Sequence, residues 1–408
     1  MISKIKSILL YTSLSLLFIF LIYGVLLSRY SPSVFSNDLV FKDPEGLYDY
    51  SGVMNVHTIA GSGSGTIPEI AEAAEEGGIN FVVFTDLNTP QEAREDEGYI
   101  NNVLVLVGSQ YKYLDSLLLN IDGNLDDRLQ GAGRSQILLT DILSDETRTP
   151  GNGMFILAHP LKPGYKWSGE YPVGLDAIEV FNLKGIWQWT WLKDHSSFIW
   201  TLITYPFNPK LAFARLFAES SDEEIDLWDQ LNRDRKVIGI SGSAAESRVR
   251  FLGHVYQFPS YQTLFSIMRN HVLLTSELTG SFEVDKKKIM AALKQGQSYM
   301  SLDLLANPKG FNSYIKDSDG KKYLIGSEIK TKKNLELVVQ LPSKPHVPFQ
   351  VIVYRDSQRI LTSTSPTTSL PIREPGSYRV VVRLRVILPI PDGKKWIPWI
   401  FTNPIRVN

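Results

Sequence analysis

The sequence contains no cysteine and only six histidines. The first absence excludes disulfides and thiolate metal sites, and it leaves the cellular compartment open. The second gives weight to any histidine found at a strand end. An excess of one charge sign is also missing: 42 Lys and Arg against 43 Asp and Glu leave a formal net charge of -1. With no global basic field, nucleic-acid binding is not expected, and a small molecule or a protein is the expected partner. No internal repeat or low-complexity tract is evident. What is present is a chain of 408 residues, 43% hydrophobic and 21% charged, ample for two domains with real cores.

The one long hydrophobic run lies at the start. SILLYTSLSLLFIFLIYGVLLS, Ser7 to Ser28, carries no charge and as a helix reaches across a hydrocarbon core about 30 Å thick. Lys4 and Lys6 precede it and Arg29 follows, so the positive-inside bias favours a cytoplasmic N-terminus and an extracytoplasmic body. A cleaved signal peptide is the competing reading. The run is longer than a usual signal core, has no small-x-small pattern near its end and offers no cysteine to a lipid, so an uncleaved single-pass anchor is expected over 1–30.

A polar linker over 31–50 should follow. From 51 to about 280, short apolar runs alternate with helical stretches: GVMNV (Gly52 to Val56), NFVVFTD (Asn80 to Asp86), VLVLVG (Val103 to Gly108), SLLLNID (Ser116 to Asp122), MFILAHP (Met154 to Pro160), AIEVFN (Ala177 to Asn182) and KVIGISG (Lys236 to Gly242). Continuous apolar runs rich in β-branched residues are expected as buried parallel strands. The first intervening helix has Pro68 in its first turn, Glu69 and Glu72 at its positive end, an inward stripe of Ile70 and Ala73/Ala74, and Gly77-Gly78 as its stop. Strands and helices in this alternation predict an α/β fold with a distorted, TIM-like (β/α)7 barrel. Such a barrel gathers its chemistry at the C-terminal ends of its strands. Those ends carry Asn55 and His57, Asp86, Gln110, His159, Asn182, and Ser241 to Glu246. Any one of them could be a turn former or cap. Two histidines and an aspartate at three separate strand ends fit that reading poorly.

Over 281–408 a helix, VDKKKIMAALKQG (Val284 to Gly296), leads into LELVVQLP, FQVIVYRD, YRVVVRLRV and WIPWIFTNPIRVN. Period-two alternation between Gly and Pro turns predicts a small antiparallel β-sandwich.

Taken in order, VHTIAGSGSGTIPEIAEAAEEGGINFVVFTD, VLVLVGSQ, ILAHP, AIEVFN and VIGISGSAAES resemble the motifs of the PHP (polymerase and histidinol phosphatase) superfamily. AALKQGQSYMSLD and the closing W-x-F-T-N-P-I resemble the C-terminal extension of its carbaryl-hydrolase-like (CehA/McbA) metallohydrolase branch. The resemblance covers residues 50 to 408. In active members it implies a cluster of Zn, Mn or Fe ions hydrolysing phosphate esters or related bonds. Such chemistry needs several imidazoles and carboxylates converging on the metals.

The motifs are incomplete. H-x-H-T-x-x-S-D-G places Asn55 at its first histidine, His57 at its second and Ser62 at its acidic position. T-D-H reads Thr85-Asp86-Leu87, G-x-E ends in Gln110, A-H-P survives as Ala158-His159-Pro160, and G-S-D-x-H reads Gly242-Ser243-Ala244-Ala245-Glu246. Asn55, Gln110 and Ser243 thus stand at degenerate site positions, where neutral amides neither bridge transition metals well nor balance their charge. The expectation is a membrane-anchored, non-catalytic binding or scaffolding protein with no cofactor. The alternative is a phosphoesterase or carbamate-hydrolase-like enzyme with one Zn, Mn or Fe ion on His57, His159 and Glu246, and Asp86 orienting a ligand or moving a proton.

Residues 183–220 hold an aromatic insertion, including Trp187, Trp189, Trp191, Trp200 and Tyr205. It is expected as a loop region capping the barrel mouth, in preference to a membrane-interface patch. The Gly61 to Thr66 loop could cradle an anion or serve as an ordinary turn. His195, His254, His271 and His346 are expected as ordinary surface or hydrogen-bonded residues.

Overall fold

The computed structural model describes residues 2–408 except 37, 90, 123–136, 138–152, 163, 168–169, 219–222, 331, 333 and 391. The chain begins with α1 (Ile2–Ser28), whose stretch Lys4–Ser28 is long and apolar enough to cross a membrane. The segment 31–50, expected as a polar linker, packs against the body. Phe35 and Leu47 are buried, and the Phe35 ring lies 5.6 Å from that of Trp399. Its scattered large apolar side chains explain why it does not run free through solvent.

Every apolar run named above forms a strand: β1 (Tyr48–Val56), β2 (Phe81–Phe84), then β3 (Gly98–Ile100), β4 (Val103–Val107), β5 (Ser109–Lys112), β6 (Leu117–Ile121), β7 (Met154–Ala158), β8 (Ala177–Asn182) and β9 (Ile238–Ala245). β1 pairs in parallel with β2, and β2 with β4. β5 pairs with β6 and β6 with β7, both antiparallel, before parallel pairing resumes through β8 and β9 and returns to β1. The circuit of pairings therefore closes on itself. The expectation of parallel strands fails at β6, because β5 and β6 are joined by a hairpin rather than a helical crossover. The bend between β4 and β5 falls at Gly108, where a Cβ would meet the Asn120 carbonyl oxygen at 2.6 Å.

Alternate residues of these strands enter two separate cores. Met54, Phe81, Val83, Leu104, Leu106 and Ile156 belong to one, and Val53, Val82, Phe84, Val105 and Leu157 to the other. Burial on both faces is the physical reason that the strands read as unbroken apolar runs. Between β1 and β2, α2 (Ile67–Glu76) buries Ile70, Ala71 and Ala74, with Ala73 only partly buried. Glu69 accepts from the Thr66 amide at 2.8 Å, which anchors the helix start.

The aromatic insertion, expected as a loop region, is helical where described. It forms α3 (Leu183–Lys193), α4 (His195–Thr204) and α5 (Pro209–Ala218). Side chains at each start accept a backbone amide: Asn182 from Gly185, Asp194 from Ser197 and Asn208 from Leu211. These caps satisfy donors that short helices otherwise leave open. Then come α6 (Glu223–Asp234), the hairpin β10 (Val249–Phe251) and β11 (His254–Tyr256), and α7 (Tyr261–Phe265).

The sheet does not break near residue 280. β12 (Arg269–Leu274) pairs antiparallel with β1 on one side and with β13 (Ser298–Ser301) on the other, across the intervening α8 (Phe282–Lys294). β14 (Asn312–Lys316), β15 (Lys322–Leu324), β17 (Leu335–Gln340) and β20 (Thr367–Ile372) make a separate four-stranded sheet, with β16 (Glu328–Ile329) falling between β15 and β17 in the chain. β18 (Phe349–Arg355), β19 (Gln358–Ser363), β21 (Gly376–Leu388), β22 (Gly393–Thr402) and β23 (Ile405–Val407) extend the large sheet, because β22 pairs with β13. Asn403 ties this extension to the central strands. Its amide nitrogen donates to the Gly239 and Ser298 carbonyls and its oxygen accepts from the Gly239 amide at 2.8 Å.

Candidate functional site

The C-terminal ends of β1, β2, β7, β8 and β9 come together beneath α3. Three non-glycine residues here adopt left-handed backbone: Asn55 at φ 58°, His159 at φ 50° and Ala244 at φ 43°. For Ala244, which has no polar side chain to compensate, this conformation costs about 1–2 kcal/mol. Three such positions at converging strand ends single this region out as the candidate site.

At its base lies Glu179, a fully buried carboxylate on β8. The Asn55 side-chain amide donates to its Oε1 at 2.6 Å, and the Asn182 amide and His159 backbone N–H donate to its Oε2 at 2.9 and 3.2 Å. Burial raises the Glu179 pKa to about 7, against the pull of these donors. Thr85 donates its hydroxyl to Asn55 Oδ1 at 3.1 Å. Asn55 is thus engaged through both ends of its amide, joining β1, β2 and β8. Gly242 on β9 makes room for the carboxylate, since a Cβ there would lie 1.8 Å from Glu179 Oε1.

His57 faces Asp86, with Nδ1 3.7 Å from Oδ1. Asp86 also accepts from the Thr58 backbone at 2.9 Å and the Thr58 hydroxyl at 2.6 Å. Burial works to raise the Asp86 pKa, but the His57 and Thr58 donors outweigh it and hold the carboxyl below its ordinary value. His159 is buried, 4.0 Å from Glu179. Burial, reinforced by nearby Lys162 and Lys184, depresses its pKa to about 3 and keeps the ring neutral. Lys162 is itself pulled below its usual value by burial and by Lys184.

Glu246 turns elsewhere. It meets Lys184 Nζ at 2.6 Å and accepts from the Ser62 hydroxyl at 3.0 Å. Gln110 sits beside the end of β2, its amide donating to the Asp86 carbonyl and its carbonyl accepting from the Asn88 amide, both at 2.9 Å. Leu87 bridges to it and leaves its side chain half exposed. Ser243 is buried, and its hydroxyl donates to the Met54 carbonyl at 3.0 Å. In the Gly61 to Thr66 loop, the Ser64 and Gly65 amides donate to the Tyr261 hydroxyl, and the Gly61 and Gly63 amides to the Thr58 carbonyl. These amides are therefore committed within the protein.

The donor set does not fit the multinuclear metal cluster that the sequence resemblance implies. Among the described residues, no three His, Asp or Glu side chains are grouped so as to hold a metal ion. His57, His159 and Glu246, the ligands considered for a single ion, are not such a group. The physical cause is local: Glu246 is held by a lysine cation, and the Asn55 amide occupies Glu179.

A cavity of about 590 Å³ opens above this floor, lined by His159, Lys162, Glu179, Asn182, Trp189 and Trp191 among others. α3 forms part of its wall. Glu179, Lys162 and Lys184 were not singled out from sequence. For Glu179 the signal was available: it is the one charged residue within the otherwise uncharged strand AIEVFN.

No protein-family model and no curated protein matches the chain. Among solved structures it is similar to a two-domain protein containing a predicted PHP-like metal-dependent phosphoesterase from Bacteroides vulgatus ATCC 8482, with a TM-score of 0.36 and 10% identity over 90% of this chain and 99% of that one. It is also similar to a candidate metal-dependent phosphoesterase from Bifidobacterium adolescentis ATCC 15703, with a TM-score of 0.24 and 14% identity over 52% of this chain and 93% of that one.

Proposed function

We propose that this protein is a membrane-anchored, PHP-like barrel whose metal centre has been replaced by hydrogen bonds and an ion pair, and that it binds a small molecule or a protein segment at its mouth without metallohydrolysis. The ordered motifs and the closed circuit of strand pairings support the PHP-like reading. In this reading α1 is a single-pass anchor with a cytoplasmic N-terminus, residues 51–280 are a distorted (β/α)7 barrel and residues 281–408 carry a β-sandwich.

The observation that carries the proposal is Asn55 bonded to Glu179 where the family pattern has a metal-binding histidine. Lys184, whose charge is also felt at His159, neutralises Glu246, a carboxylate that would otherwise attract a metal cation. The cavity above is apolar on its tryptophan side and charged on its lysine side, as recognition of an organic ligand requires.

Titration calorimetry of the full chain in detergent with Mn, Zn and Fe(II), combined with a phosphomonoesterase and carbamate-hydrolysis assay, tests this. No tight metal binding and no metal-stimulated turnover are expected. Turnover that depends on added metal and disappears in His57→Ala would instead establish the hydrolase reading.

A further inference from the structure

One face of the last turns of α1 packs against the body, while Leu21, Ile22, Val25 and Leu26 on the other stay about half exposed or more. The Phe20 ring meets that of Phe207 at 5.1 Å, and Tyr23 meets Trp200 at 6.1 Å. Gly24 lies so close that a Cβ would fall 2.2 Å from the Phe207 ring. Asn208 donates to the Leu27 and Tyr30 carbonyls at 2.9 and 2.8 Å, and the Tyr23 hydroxyl donates to the Ile390 carbonyl at 2.8 Å. The body thus climbs from Leu27 up to Phe20, about 10 Å along the helix axis.

That climb conflicts with a body held wholly outside the bilayer. The uncharged run Ser7 to Ser28 spans about 33 Å, just enough for a hydrocarbon core of about 30 Å. If everything from Phe20 onward stayed in water, only Ser7 to Ile19 would remain, about 20 Å, too short to cross. The groups packed on Phe20 and Tyr23 must therefore share the leaflet with α1.

Their outer surfaces suit that position. Ile199 and Leu202 on α4, beside Trp200, and Ile387 and Ile390 at the end of β21 and just beyond it are each about half exposed or more. Arg215 and Asp392 nearby are paired with each other at 2.6 Å and largely buried, and the exposed Lys210 and Lys394 have stems long enough to carry their charges to the headgroups. Exposed apolar side chains with tryptophan beside them suit the boundary between headgroups and acyl chains.

We infer that α4, the α4–α5 turn, Ile387 and Ile390 insert into the leaflet around the end of α1, so that the protein docks on the bilayer as well as crossing it. The inference rests on the reading of α1 as an anchor. It goes beyond the expectation of a mouth cap, because α3 faces the cavity while α4 faces the anchor.

The natural absence of cysteine permits a direct test on the full chain. Leu202→Cys and Ile390→Cys, with Leu14→Cys in α1 and Val173→Cys on the exposed body as references, would each carry a nitroxide in nanodiscs of phosphatidylcholine and phosphatidylglycerol. Collision rates with oxygen and with a water-soluble nickel chelate are then compared. The expected result is an oxygen-to-nickel ratio several-fold higher at positions 14, 202 and 390 than at 173. A lipid-like ratio at 14 with water-like ratios at 202 and 390 overturns leaflet insertion while sparing the anchor. A water-like ratio at 14 removes the anchor and the inference together.

Discussion

The Asn55 side-chain nitrogen lies 2.6 Å from Glu179 Oε1, a bond that crosses from β1 to β8. Both residues are buried, and Thr85 completes the Asn55 amide from the second strand. Asn55 is thus part of the structural floor of the cavity.

Loss of that bond is therefore expected to be felt as instability. Asn55→Ala leaves Glu179 and Thr85 short of a partner and should cost about 1–3 kcal/mol. Equilibrium denaturation of the full chain in detergent measures it. Unchanged stability would mean that the bond makes no net contribution to the fold.

A second buried network predicts a pH effect. His271 Nδ1 lies 2.8 Å from Asp49 and its Nε2 3.2 Å from Asp303, while the Tyr299 hydroxyl donates to Asp49 at 2.5 Å. Burial alone would depress the His271 pKa, but the two carboxylates more than offset it and raise the value from 6.5 to about 9. Because the folded value is the higher one, the stabilisation is complete below pH 6.5 and is lost as pH rises through about 9. Thermal midpoints measured across that window should fall with pH, with a smaller fall in His271→Gln. Equal falls in both proteins would assign the effect to other groups.

The region over 281–408 should prove tightly coupled to the strands and helices that precede it. Arg379 on β21 makes a bidentate pair with Asp229 on α6 at 2.5 and 2.6 Å, and its guanidinium lies 4.3 Å from the centre of the Tyr354 ring. Removing one partner strands a buried charge, so Arg379→Met should cost about 3–5 kcal/mol, and the double change with Asp229→Leu distinctly less. A double-mutant cycle checks the coupling, and additive losses would exclude it.

Asn403→Ala gives a complementary test. The Gly239 amide and the Gly239 and Ser298 carbonyls all lose a buried partner, at about 1–3 kcal/mol for a stranded group. Hydrogen exchange should rise at Gly239 in the variant. Protection equal to the parent's would show that the strap is dispensable.

How far these features could be read beforehand depends on which forces leave a local trace. Burial on both faces of a strand leaves an apolar run, so β1, β2, β4, β6, β7, β8 and β9 are recognisable, whereas the less buried β3 and β5 leave no such run. Strand direction leaves none, which is why β6 was expected to be parallel although its neighbours run against it. The helices of the aromatic insertion were announced only by single capping residues, Asn182, Asp194 and Asn208, lost among tryptophans and phenylalanines. Around the cavity, the positions Asn55, His57, Asp86 and His159 are legible in the sequence as strand ends. Their partners Glu179, Lys162 and Lys184 are not, because long-range pairing has no fixed spacing in the chain.

The central claim is that the residues at the mouth have exchanged a metal centre for internal bonds. Its most direct test is elemental analysis of the full chain purified without chelators, alongside the His57→Ala, His159→Ala double variant. The account predicts less than one transition-metal ion per chain, with the same value in the variant. Two or more tightly held ions per chain, lost in the variant, would contradict it.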